Sequence, residues 1–250
     1  MFKKVIVDRL RQRFSFGSEG TNNLEFVGQR VKWIKEPGHR PYIQVDQNKS
    51  IETLSEIGFA KSLKDDTVCG PSLHTLYRSV VGQITWRHAR PQLHACYAFS
   101  RCASSAASPT ISDVKQFNKL VRIIRAQPVT LRFYPLKGKL RIVGYPDASY
   151  KNNSYHSSQR GSIICVAEAR TPGRSWAHGS VVDYDSQKIK RATLSTTVAE
   201  LYAFIMVFGT ATCLRGLWMD ISCEPAPLNM RTDANNLVST AQSTRLPEQK

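Results

Sequence analysis

The sequence predicts an α/β (α+β) chain: a β-hairpin, an all-helical middle, then a mixed sheet with helices packed on it. Three observations carry this. Apolar and polar residues alternate in short runs near both ends, apolar residues recur every three or four positions in the middle and in one long late segment, and prolines fall at the joints. With 250 residues and 41% hydrophobic content, the chain can fill one large or two ordinary domains.

In chain order, residues 3–14 suggest a short helix, interrupted by Asp8 and Arg9 too early for a signal peptide. "LEFVGQRVKWI" (Leu24–Ile34) and "RPYIQVDQ" (Arg40–Gln47) read as strands, with Pro37 and Gly38 turning one into the other. Helical spacing follows at Ser50–Gly58, Leu73–Trp86, Gln92–Cys102 and Ser112–Ala126, and the low-complexity "ASSAASPT" (Ala103–Thr110) reads as a linker. Strands return at Leu131–Tyr134, Lys139–Tyr145, Gly161–Glu168 and Ser175–Tyr184. Pro146 and the polar run Asn152–Ser154 mark the end of the second of these.

A long helix capped by Ser195 or Thr196 comes next, then a strand at Leu228–Thr232 and a further helix start. The longest uncharged apolar run, Leu201 to Leu214, is too short to span a bilayer and reads as a buried core helix, so no membrane partner is expected.

Thirty-five Lys and Arg against 19 Asp and Glu give a net charge of +16, which points to a polyanion, nucleic acid before membrane. Residues 1–137 hold 22 basic and 10 acidic residues, so the grip is expected mainly there. A merely soluble basic surface is the plainer alternative. Six cysteines without a CxxC pair fit reduced intracellular thiols. His88, His94, Cys96 and Cys102 match no common zinc spacing and read as structural.

Acidic residues are scarce in the second half, which makes their positions informative. Asp147 closes one strand, Asp233 another, and Glu200 lies in the first turns of the long helix. Such residues converge when strand ends share a rim with a crossing helix; they are also ordinary turn and cap residues. Three converging carboxylates repel unless cations neutralise them, and an all-oxygen set favours Mg²⁺ or Mn²⁺, the ions of two-metal phosphodiester hydrolysis.

"VGYPDASY", "RSWAHGSVVDYDSQKIKRATLSTTVAELYAF" and "MRTDANNLVSTA" resemble the ribonuclease H domain that ends the Pol polyprotein of Ty1/copia-type retrotransposons. Upstream, "LYRSVVGQITWRHARPQLHACYAFSRCASSAASPT" resembles that family's link between polymerase and nuclease, and "LEFVGQRVKW" with "IQVDQNKSIETLSEIGF" the end of its reverse transcriptase. The resemblance implies three segments: a reverse-transcriptase remnant (1–70), a helical connection (71–130) and a ribonuclease H-like domain truncated at its C-terminus (131–250). It implies Asp147, Glu200 and Asp233 as catalytic metal ligands for Mg²⁺ or Mn²⁺, with RNA:DNA hybrid and an upstream polymerase domain as partners. The implied location is the cytoplasm, within a virus-like particle, or the nucleus.

Departures accompany the likeness: Val198 and Ala234 replace an acid and an Asn of the pattern. The polymerase's aromatic-Asp-Asp motif is absent, Asp65-Asp66 being the sole Asp pair, and only Glu248 follows Asp233, leaving the family's fourth carboxylate without a match. Hydrolysis of the RNA strand and a catalytically inactive hybrid-binding remnant therefore both stand as readings. Asn152, Asn153, Ser154, Ser157, Ser158 and Gln159 are candidates for contacting phosphate or 2′-OH, and Lys188, Lys190 and Arg191 for riding the backbone. An exposed loop and a solvated charged loop are the plain alternatives.

Overall fold

The computed structural model describes residue 12 and residues 22–26, 28–88, 92–151, 157–169 and 177–242. The helix expected at 3–14 lies, Gln12 apart, outside them. The described residues form two four-stranded sheets joined by a helical layer.

The first sheet orders β1 (Asn23–Phe26), β2 (Gln29–Ile34), β3 (Tyr42–Asp46) and β4 (Leu131–Phe133), every neighbour antiparallel. The run Leu24–Ile34, expected as one strand, is a tight hairpin: Phe26 pairs with Gln29, and Gly28 takes the left-handed φ of 66° that the turn requires. The β2–β3 hairpin turns at Gly38 (φ 77°) as expected. The pair is fastened by buried Asp46, which accepts hydrogen bonds from Arg30, Gln44 and the Asn48 amide. Burial raises the Asp46 pKa, but these donors and the Arg30 charge outweigh it and hold the carboxyl below its usual range. β4 arrives from beyond the helices to close this sheet, Val45 opposite Leu131.

Between β3 and β4 lie α1 (Asn48–Glu52), α2 (Pro71–His88), a 3₁₀ turn (Leu93–Ala95), α3 (Cys96–Ser104) and α4 (Ile111–Ala126). Their core gathers Ile51, Leu54, Ile57, Tyr77, Ile84, Phe99, Val114, Phe117 and Leu120. The helix expected over Ser50–Gly58 stops at Glu52; Leu54 and Ile57 enter the core from irregular backbone instead. That backbone is pinned by Asn118, whose Oδ1 accepts from Ile57 N at 2.8 Å and whose Nδ2 donates to Ile57 O at 2.9 Å. "ASSAASPT" is a packed connection rather than a loose linker. Ser105 and Pro109 are buried, and Thr110 and Asp113 form a capping box that starts α4.

The second sheet orders β7 (Gly179–Lys188), β6 (Gln159–Glu168), β5 (Leu140–Ser149) and β8 (Leu228–Met230). The first three are antiparallel and β8 is parallel to β5, so the sheet is mixed, as expected. α5 (Thr196–Ser222), with Ser195 Oγ accepting from Val198 N, packs on the face carrying Ile142 and Ile164. Side chains alternate along β5 and β6, so Gln159 faces the other way, where its amide meets Ser100 of α3. α6 (Asn235–Gln242) ends the described chain.

α5 is the clearest departure from expectation. It is apolar on every side, yet only Ala199, Glu200, Ala203, Val207 and Ala211 are buried; Leu201, Ile205, Phe208, Leu217 and Ile221 are exposed. By length and composition alone it is long and apolar enough to cross a membrane, whereas in the fold one stripe of small residues lies against the sheet.

Asn118→Ala would strand both backbone groups of Ile57 in the core. The expected loss is about 2–4 kcal/mol of unfolding free energy, read by urea denaturation.

Candidate metal centre

β5 carries Asp147 near its C-terminal end. Pro146 does not end the strand; pairing continues through Pro146–Ser162 to Ser149–Gln159. The proline is tolerated because of where its missing N–H would point. Ile142 N and Gly144 O bond toward β8, so position 146 faces the same side, and β8 has already ended opposite Gly144. No ladder bond is lost, and a gap opens between the strands.

The other two carboxylates meet Asp147 at this gap. Beyond β8 the chain is held by the Arg231 amide on Gly144 O, and the next turn presents Asp233. Glu200, on the buried stripe of α5, reaches the same point and accepts a hydrogen bond from the Ala148 amide. Ligand atoms of Asp147, Glu200 and Asp233 lie within 4.8 Å of one another. The structure thus brings together the three acids the sequence singled out.

Asp147 and Asp233 are exposed, while Glu200 is 8% exposed and its Oε2 is buried without a hydrogen-bond partner. Burial and the adjacent Asp147 raise the Glu200 pKa; the Ala148 hydrogen bond opposes this, and Asp233 adds to the rise. Three hard oxygen donors, one of them orphaned, fit a hard divalent cation such as Mg²⁺ or Mn²⁺ and not a thiolate- or imidazole-seeking one.

Gly144 sets the spacing. A Cβ there would meet Met230 Sδ at 2.9 Å and Val207 Cγ1 at 3.0 Å, so the side chains of β8 and α5 pack into the space that the glycine leaves on β5.

A cleft of about 440 Å³ runs from Asp147 and Asp233 across the face opposite α5 to the 3₁₀ turn and α3. Tyr145, Tyr184 and Tyr97 line it, with His94, whose pKa burial lowers. These aromatic walls were not anticipated, although Tyr145 stands two residues from Asp147 and so shares its face.

The other expected substrate contacts fare differently. Asn152, Asn153 and Ser154 lie outside the described residues. Gln159 is a correction: it is buried, its amide donating to Ser100 and Ser186 Oγ, so it joins α3 to the sheet rather than facing a ligand. Ser158 is likewise turned inward, onto Thr193. Lys188 is half-buried at the end of β7, and Lys190 and Arg191 are exposed on the segment leading to α5.

The fold and site define a mixed α+β chain with three carboxylates converging at a strand gap. No family model matches the chain. Over 110 residues, 44% of its length, it is 28% identical to the Ty1-NL2, Ty1-DR6 and Ty1-DR1 transposon Gag-Pol polyproteins of Saccharomyces cerevisiae. The matched stretch covers 6% of each polyprotein. The match is thus a likeness to a short stretch of retrotransposon Gag-Pol polyproteins.

Two outcomes follow from the geometry. Gly144→Val should lower stability by about 1–3 kcal/mol and weaken Mn²⁺ binding, read by isothermal titration, because the strands and helix carrying the acids are forced apart. Glu200→Gln should do the opposite to the cation-free fold. A raised folded pKa means that stability falls as pH climbs from the ordinary glutamate value through the raised one. The variant should therefore melt above the parent at neutral pH, with the difference gone below about pH 4, while Mn²⁺ no longer raises its Tm.

Proposed function

We propose that this chain is a retrotransposon Pol fragment whose C-terminal half acts as a ribonuclease H, hydrolysing the RNA strand of RNA:DNA hybrids. The observation that carries the reading is the meeting of Asp147, Glu200 and Asp233 at the β5–β8 gap. Mg²⁺ or Mn²⁺ held there would supply positive charge to the phosphodiester and a more acidic water.

The chain's own residues do the rest. Asp147 and Asp233 offer their oxygens from the solvent side, where a phosphate arrives, while buried Glu200, oriented by the Ala148 amide, closes the site from behind. The aromatic cleft beside them suits the sugar and base next to the scissile phosphate, and exposed Lys190 and Arg191 suit contact with the duplex backbone. A polymerase domain elsewhere in the same polyprotein, and a cytoplasmic particle or the nucleus as the site of action, belong to the same reading.

One observation favours a second reading, a hybrid-binding remnant: Val198 and Ala234 stand where the resembled pattern has an acid and an Asn. A labelled hybrid with Mg²⁺ or Mn²⁺ separates the two. Cleavage confined to the RNA strand and lost in Asp147→Asn, with hybrid binding retained, supports the nuclease. Salt-sensitive binding without cleavage in the parent supports the remnant.

A further inference from the structure

The opposite end of the second sheet holds a larger cleft, about 1090 Å³, that the carboxylate centre does not use. It lies where β5 begins and α5 ends, lined by Lys139 and Arg141 from the strand side and by Arg215 and Trp218 from the helix, with Glu224 its one acidic wall residue. Arg141 is six residues before Asp147 on β5, roughly 20 Å along a strand, so the two sites are separate.

Three features define what would fit. Lys139 and Arg215 are exposed cations. Arg141, half-buried, adds a third cationic residue to the lining. Trp218, three residues after Arg215 and thus on the same flank of α5, packs part of its ring on the sheet core and leaves the rest lining the cleft. An apolar ligand would leave the exposed cations unanswered, and a simple anion would leave the indole unused. We propose that this cleft binds a nucleotide, its phosphate against Lys139 and Arg215 and its base against the free part of the Trp218 ring.

The test uses the full chain with two probes, uridine monophosphate and a labelled single strand of eight thymidines, reading tryptophan quenching and anisotropy. The Lys139→Ala/Arg215→Ala double variant should lose tenfold or more in affinity, and its salt slope with the octamer should flatten by about one to two. Trp218→Phe, which keeps the packing, should abolish quenching by uridine monophosphate. Asp147→Asn should change neither, which separates this site from the carboxylate centre whatever that centre does. Monophosphate bound as tightly as the octamer would assign the site to free nucleotides, and a much tighter octamer would assign it to a strand; both uphold it. Unchanged affinity in the double variant, or quenching that persists in Trp218→Phe, would overturn it.

Discussion

Three carboxylates within 4.8 Å of one another repel, and the second half of this chain is arranged to hold them there. They hang from three different elements, β5, α5 and the turn after β8, so no local preference can gather them. What gathers them is the packing at Gly144, where the Met230 and Val207 side chains fill the space a Cβ would take, and the shortness of β8, which leaves room beyond it. Glu200 bears most of the electrostatic strain because it alone is buried. Its unpartnered oxygen is a cost that the fold carries and that a hard cation would relieve.

The sheet that carries this centre is not free-standing. Gln159 bonds at once to Ser100 of α3 and to Ser186 of β7, and α3 in turn walls the cleft beside Asp147. The helical layer therefore shapes the approach to the acids. Its own rigidity comes from devices such as the Asn118 clamp on Ile57 and the Thr110 capping box, which fix irregular backbone with side-chain hydrogen bonds. β4, on the way out of this layer, fastens it to the first sheet.

How much of this was legible in the sequence follows from the range of each signal. Asp147, Glu200 and Asp233 stood out because strand alternation and a helix cap are local. The Phe26–Gln29 hairpin was hidden because apolar and polar residues mix throughout Leu24–Ile34, where only Gly28 hints at reversal. Gln159 looked available because polar residues crowd the segment before it; its burial depends on α3, some sixty residues earlier. The pairing of β4 with β3 is equally non-local. Hydropathy also failed to reveal which side of α5 would be covered, since a helix apolar all round has no face to read.

The uncovered flank of α5 governs how this polypeptide behaves in bulk. At 27 residues the helix is roughly 40 Å long, and it displays Leu201, Ile205, Phe208, Leu217 and Ile221 on a molecule of net charge +16. In dilute buffer like charge keeps copies apart and the flanks do not meet. Raising ionic strength shortens the reach of that repulsion and leaves the apolar attraction in place. The salt that would strip polyanions from a basic protein would thus also favour contact between the exposed apolar side chains of neighbouring copies.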